Sequence, residues 1–196
     1  MSDLRPLRRE LRRQRRALSA SAQRQAAASV ARHLAGWLRF LHSRRIGHYL
    51  ASDGEIDPSS ALLRGQARGA QGFLPILHPF AHNRLLFAPH RPGERLILNR
   101  YAIAEPDLRR QVLTPAWSLD LVLLPLVAFD RSGARLGMGG GYYDRTFALD
   151  RPWPSRPLLV GVAHHFQERP QLPMATWDVP LDAVVTDREL ILIRCR

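Results

Sequence analysis

The spacing of apolar positions changes along the chain, and each change marks a different element. In "LRPLRRELRRQRRAL" Leu4, Leu7, Leu11 and Leu18 recur at helical spacing while arginines fill most of the rest, which predicts an amphipathic helix. An alanine-rich second helix follows, with Ser19 or Ser21 as its cap and Val30, Leu34, Trp37, Leu38 and Leu41 as its core face. Strand character begins at "RIGHYLA". "DGEIDPSSALLRGQARGA" reads as a loop entering a helix, with Asp57 at the N-cap and Pro58 at the first helical position. "GFLPIL" and "RLLFAP" read as two strands joined by a loop, and residues 91–115, with scattered prolines, read as irregular. "LDLVLLPLVAFD" is continuously apolar, the pattern of a strand buried on both faces, and "PLLVGVA" is a second such strand. "LDAVVTD" and "LILIR" read as a short closing strand pair.

Strands alternating with helices predict an α/β fold. The expected form is a three-layer α/β/α sandwich with a largely parallel central sheet, Rossmann-like, plus an N-terminal helical arm. The 196 residues fit one domain, residues 1–196, in which residues 1–42 are helices packing on the α/β core.

Composition narrows the function classes. The longest apolar stretch, 121–129, contains Pro125 and falls short of the roughly 18 residues a membrane span needs. No apolar segment follows the basic N-terminus, so no secretory signal is expected there, and a cytoplasmic protein without membrane partners is the plain reading. The one cysteine, Cys195, can build neither a disulfide framework nor a cysteine zinc site. All 29 basic residues are arginine, and the net charge is +12. The arm carries seven arginines against Asp3 and Glu10, or +5, leaving +7 elsewhere. Arginine offers a planar fork for phosphate or carboxylate, so an anionic ligand or weak attraction to nucleic acid is implied.

The chemistry concentrates in "RLGMGGGYYDR", residues 135–145. It follows a buried strand, where open α/β sheets bind ligands beyond the carboxyl ends of their strands. Glycines there let backbone N–H groups approach a phosphate chain without Cβ clashes, and a helix starting at Tyr142 adds partial positive charge. Arg135 and Arg145 bracket the loop and suit phosphate oxygens. Asp144 is a hard oxygen ligand suited to Mg²⁺, and Tyr142 and Tyr143 offer flat faces and hydroxyls. The dinucleotide G-x-G-x-x-G pattern fails because Tyr142 stands where its third glycine belongs, and a Walker loop fails for want of lysine.

"PLVAFDRSGARLGMGGGYYDR" closely resembles the signature of the 5-formyltetrahydrofolate cyclo-ligase family, also called 5,10-methenyltetrahydrofolate synthetases. "YLASDGEIDP", "FLPILHP", "LLFAP", "AIAEP" and "WDVPLDAVVTD" occur in the family order, so the likeness spans nearly the whole chain. The resemblance implies that ATP with Mg²⁺ phosphorylates the formyl oxygen of 5-formyltetrahydrofolate. The folate N10 then attacks the activated carbon, the ring closes to 5,10-methenyltetrahydrofolate, and ADP and phosphate are released. It assigns Arg135, Leu136, Gly137, Met138, Gly139, Gly140, Gly141, Tyr142 and Tyr143 to the ATP phosphates, with Met138 to Tyr142 also bordering the folate. It assigns Asp144 and Asp182 to Mg²⁺, and Glu55 to the pterin or N10 region with Leu50 packed nearby. Glu55, Arg135, Tyr142 and Asp144 would be the catalytic set. In the arm, Arg8 fits the family's ATP-contacting arginine; the family's lysine falls at Leu4, with Arg5 the nearest substitute.

Local features alone leave other readings open. Glu55 also reads as a solvated loop acid beside a helix start, and Asp182 as a turn residue. Most remaining arm arginines are expected on a solvated helix face. His164 and His165 are adjacent, so their side chains diverge on a strand and make no metal site. Trp37, Trp153 and Trp177 are expected to pack. The expected partner is a small-molecule substrate, with or without a polyglutamate tail, bound by a monomer, and no specific nucleic acid is expected. An arginine-rich RNA- or ribosome-associated protein is the alternative, and a sugar-phosphate or CoA binder a third reading.

Overall fold

The computed structural model describes residues 3–91, 93–107, 109, 112–148 and 154–193; Trp153 and Cys195 lie outside them. The arm is a helix, α1 (Arg5–Arg16), followed by α2 (Ala20–Ala35), whose N-cap Ser19 accepts from Ala22 N at 3.2 Å. Next come α3 (Leu38–His42), β1 (Arg45–Gly47) and α4 (Ser59–Gln66). Then β2 (Gln71–Leu77) and β3 (Leu85–Pro89) pair antiparallel, as their sequences predict. The stretch expected to be irregular holds a two-stranded ribbon, β4 (Leu96–Leu98) with β5 (Ala104–Pro106). After it come β6 (Leu121–Pro125), the hairpin β7 (Ala128–Phe129) and β8 (Arg135–Leu136), and α5 (Tyr142–Phe147). The chain continues through β9 (Leu158–Ala163), β10 (Ala183–Thr186) and β11 (Leu190–Leu192).

Seven strands form the central sheet in the order β11-β10-β9-β6-β1-β2-β3. The five inner strands run parallel, and antiparallel β3 and β11 close the edges. This is the expected α/β class. In β6 the pleat sends Leu121 and Leu123 to one core and Val122 and Leu124 to the other, which is why the run is continuously apolar. The first core receives Ala26, Ala27, Val30, Ala31 and Leu34 of α2, Phe40 of α3, and Ala61 and Leu62 of α4. The opposite face is covered more thinly, by Phe147 of α5, the 3₁₀ turn Ala116–Ser118 and the chain around Val179 and Leu181. On α1, Leu11 is buried and Leu4 and Leu7 half-buried against Val127, Ala128, Ala134 and Leu136, so the arm packs on the β7–β8 hairpin.

Some expectations shift. Leu38 is 67% exposed, because α2 ends at Gly36 and the extended Trp37 resets the helical phase so that Phe40 turns inward. Pro58 is the N-cap of α4, one residue earlier in the helix frame than expected, while Asp57 Oδ1 accepts from Ser59 N at 2.9 Å and from its hydroxyl at 2.6 Å. Regular pairing of the first strand stops at Gly47, and "LDLVLLPLVAFD" splits after Pro125 to start the β7–β8 hairpin. Trp37 packs on the first core, but Trp177 is exposed, so its packing role does not hold. Buried His48, beside His90 with ring centroids 5.5 Å apart, has its imidazole pKa pushed down to about 4 by burial and by its neighbour, and stays neutral.

Candidate active site

The topology brings two loops together. β1 and β6 are adjacent and parallel, so the acidic loop after β1 and the chain leaving β6 emerge side by side at the carboxyl edge of the sheet. From β6 the chain enters the β7–β8 hairpin, whose turn is built on buried Asp130. Its Oδ1 accepts from Ser132 N, Ser132 Oγ and Ala134 N, and its Oδ2 from Leu172 N. This fully paired carboxylate fixes the exit of β8 and so aims the glycine loop.

Within the loop, Gly139 (φ 97°) and Gly141 (φ 65°) hold left-handed backbone, which other residues adopt only with strain. A Cβ at Gly137 or Gly139 would meet nothing within 4 Å, so the loop surface is open. Its carbonyls are held from outside: Arg8 Nε donates to Gly137 O, and Asn83 Nδ2 and Arg145 Nη1 to Gly140 O, each at 2.8 Å. Among the described residues, the backbone N–H groups of 138–141 meet no protein acceptor. Carbonyls tied back and N–H groups free is the polarity an anion cradle needs. Because α5 has only six residues, the cradle rests on these amides and the neighbouring arginines more than on a helix dipole.

Two side-chain clusters flank the loop. On one side Tyr142 accepts from Arg100 Nη2 at 2.9 Å and shares a 2.8 Å hydrogen bond with Tyr101, both at the tip of the β4–β5 ribbon. Slight burial raises the Tyr142 pKa, but these two partners outweigh it and leave the phenol below its usual range. On the other side Arg135, nearly buried, donates to Val179 O and pairs with Asp144 Oδ1 at 2.5 Å. Val179 N donates to the same Oδ1 at 3.2 Å, so among the described residues Asp144 Oδ2 is the oxygen available to a hard cation.

The acidic loop carries Glu55, largely buried. Burial raises its pKa, and the Ser52 N–H and the Arg15 cation only partly oppose this. Tyr143, half-buried against the second core, has its phenol pushed up by burial and then by the negative charge of Glu55. Tyr49 donates to Ile56 O at 2.6 Å and fixes the far side of the loop, with half-buried Leu50 next to it. Asp53 gathers three arginines of α1: Arg12 at 2.6 Å, Arg15 at 2.8 Å and Arg16 at 3.2 Å. Burial would raise Asp53, but Arg12 and Arg15 outweigh it and hold the carboxyl low. The site therefore pairs an open turn of free amides with a desolvated carboxylate suited to exchanging a proton.

Not every expected residue joins it. Arg5 is 86% exposed and pairs with Asp3 at 3.0 Å; only Arg8 of the two reaches the loop. Asp182 sits just before β10, accepts from Leu159 N at 2.8 Å and faces Arg156 at 3.6 Å. It shares no partner with Asp144 among the described residues, and its contacts are those of a strand-bridging turn residue. Met138 lies on the loop, 59% exposed. Sequence reading missed Arg15, Asn83, Arg100, Tyr101 and Asp130; the only signal for Arg15 was its place seven residues after Arg8 on the helix carrying the leucine stripe.

Two other features lie apart. His165, Glu168 and Glu189 converge, but Arg131 bonds Glu168 at 2.7 Å and Glu189 at 2.6 Å, so an arginine already supplies the cation. Its neighbour His164 is buried against Phe166, with Nε2 3.2 Å from Gly54 O. A cavity of about 320 Å³ between α2 and the ends of β9 and β10 includes His164 and Asp187 in its lining but no residue of the glycine loop.

Comparison with known proteins identifies the family and the fold. The sequence profile of the 5-formyltetrahydrofolate cyclo-ligase family matches residues 1–187. The chain is 38% identical to the 5-formyltetrahydrofolate cyclo-ligase of Escherichia coli, covering 90% of this chain and 96% of that one. It is also 38% identical to the enzyme of that name from Haemophilus influenzae, over 89% and 92%. The structure of Aquifex aeolicus 5,10-methenyltetrahydrofolate synthetase superposes with a TM-score of 0.79 at 31% identity, covering 97% of this chain and 93% of that chain. The synthetase of Mycoplasma pneumoniae shares the fold, with a TM-score of 0.73 at 21% identity over 95% and 99%.

Proposed function

The chain belongs to the 5-formyltetrahydrofolate cyclo-ligase family, ATP-dependent ligases of one-carbon metabolism, and on that footing we propose how its own residues carry out the reaction. The glycine loop holds the ATP phosphates through the amides of 138–141, with Arg8 and Arg145 securing the carbonyl side of the loop. Asp144 would hold Mg²⁺ through Oδ2, and the ion would supply positive charge to offset that of the phosphates. Arg135 buttresses Asp144 from behind. Asp182 enters only as the family pattern's second carboxylate.

5-Formyltetrahydrofolate lies between Met138 to Tyr142 and the acidic loop, with Leu50 beside it. The formyl oxygen takes the terminal phosphoryl group of ATP and ADP is the leaving group. The N10 lone pair then attacks the formyl carbon, N10 loses its proton, and the carbon–oxygen bond breaks as phosphate departs, leaving the methenyl bridge. Glu55, desolvated and raised in pKa, is placed to receive the N10 proton. Most of the rate enhancement comes from positioning and charge neutralisation. The observation that carries this reading is the free-amide glycine turn beside a buried glutamate on the next parallel strand's loop. The substrate is taken as a small molecule by a monomer in the cytoplasm, with the tail length of the folate left to the enzyme's kinetics. The test is near-ultraviolet absorbance with 5-formyltetrahydrofolate, ATP and Mg²⁺. Growth of the methenyl chromophore that stops when either ATP or Mg²⁺ is withheld is expected, and growth without ATP would refute the reading.

A further inference from the structure

Arg15 is the most deeply buried charged group of α1, with 2% of its surface exposed, and the reaction as described gives it no part. Each nitrogen of its guanidinium makes one hydrogen bond. Nη1 donates to Leu126 O at 3.1 Å, at the end of β6; Nε donates to Asp53 O at 3.1 Å; Nη2 pairs with Asp53 Oδ2 at 2.8 Å; and Nη1 lies 3.8 Å from Glu55 Oε1. The backbones meet as well. Gly54 lies so close to Arg15 that an added Cβ would come within 2.7 Å of its carbonyl carbon and oxygen, and Gln23 Nε2 bridges Arg15 O and Gly54 O. Two turns earlier on the same helix face, roughly 10 Å along the axis, Arg8 holds Gly137 O of the glycine loop.

We propose that α1 is a rigid strut that sets the distance between the glycine loop and the Glu55 loop, and that Arg15 is the positioning residue that fastens the Glu55 end. The inference rests on the reading of Glu55 as a folate-facing group. A helix held at both ends cannot let one loop drift without the other. A fork with separate bonds to the β6 end and to the acidic loop fixes orientation as well as distance. The other groups facing Glu55 are Asp53 and Ser52 of its own loop, Arg12 of α1, Tyr49 after β1 and Tyr143 of α5; of the cations, Arg15 is the closer and more deeply buried.

The test is steady-state kinetics of Arg15→Met and Arg15→Lys over a range of pH. Arg15→Met is expected to raise KM for 5-formyltetrahydrofolate about tenfold or more while KM for ATP stays within about twofold. Removing the cation lets burial raise Glu55 further, so the acid limb of kcat/KM for the folate moves to higher pH. Arg15→Lys keeps the charge and is expected to return the limb to its place while recovering only part of the KM, since the fork is lost. If Arg15→Met does not fold, the double variant with Asp53→Asn removes both charges and carries the KM comparison; its pH limb is expected to move less, because Asp53 raises Glu55 where Arg15 lowers it. Equal rises in both KM values, or a lowered melting temperature with an unmoved pH limb, would overturn the strut. Failure of the underlying reading shows up separately, as wild-type protein that forms no methenyl product.

Discussion

Asp144→Asn is expected to lower turnover by about a thousandfold or more while the protein still folds. The substitution keeps shape and removes one charge. The Asn side-chain oxygen can still accept from Val179 N, and Arg135 retains its bond to Val179 O, so the base of the loop stays closed. What disappears is the negative charge beside a phosphate-binding turn and the hard oxygen on which the proposed Mg²⁺ depends. Arg135 also loses its ionic partner and is freed to lean towards the phosphates. Affinity for ATP measured without Mg²⁺ should therefore hold or rise, whereas Mg²⁺ should no longer strengthen it. Circular dichroism and thermal melting check the fold, and single-turnover kinetics check the chemistry. Wild-type turnover in this variant would remove Asp144 from the mechanism.

The second large effect is on stability. Gly54→Ala is expected to cost about 4 kcal/mol, from left-handed backbone strain and overpacking together. Gly54 has φ 74°, and its missing side chain is where the backbone of Arg15 passes. The clash is with main-chain atoms, which no rotamer change relieves, and the Gln23 bridge holds both segments in place. The helix must lift off the acidic loop, exposing the Arg15–Asp53 pair and moving Glu55. Urea denaturation measures the loss, and a change below about 1 kcal/mol would mean that α1 and the loop do not approach as closely as described.

The same neighbourhood shows why parts of the molecule were legible in sequence and parts were not. The glycine loop and β6 are local signals: a run of glycines, and an apolar stretch with no polar face. The leucine stripe of α1 is local too, and it placed Leu11 in the core. Burial of Arg15 is not local. Arginines fill all the polar positions of that helix except Glu10 and Gln14, and the partners that draw Arg15 inward, Asp53 and the Leu126 carbonyl, lie 38 and 111 residues on. On local features alone Glu55 read better as a solvated acid, until the fold brought Arg15 and Tyr143 to it. The β4–β5 ribbon escaped notice because its strands are three residues long and lack alternation, yet it delivers Arg100 and Tyr101 to Tyr142. Leu38 was misplaced because helical spacing was read through a break at Gly36 and Trp37. Asp182 looked interchangeable with a metal-binding aspartate in sequence, and only its bond to Leu159 N shows the strand it serves.

The central claim is that the formyl oxygen is phosphorylated and leaves as part of phosphate. It is tested most directly by carrying isotopically heavy oxygen in the formyl group of 5-formyltetrahydrofolate and analysing the inorganic phosphate released during turnover by mass spectrometry. One heavy oxygen is expected in each phosphate formed. Heavy oxygen appearing in water, with unlabelled phosphate, would contradict it.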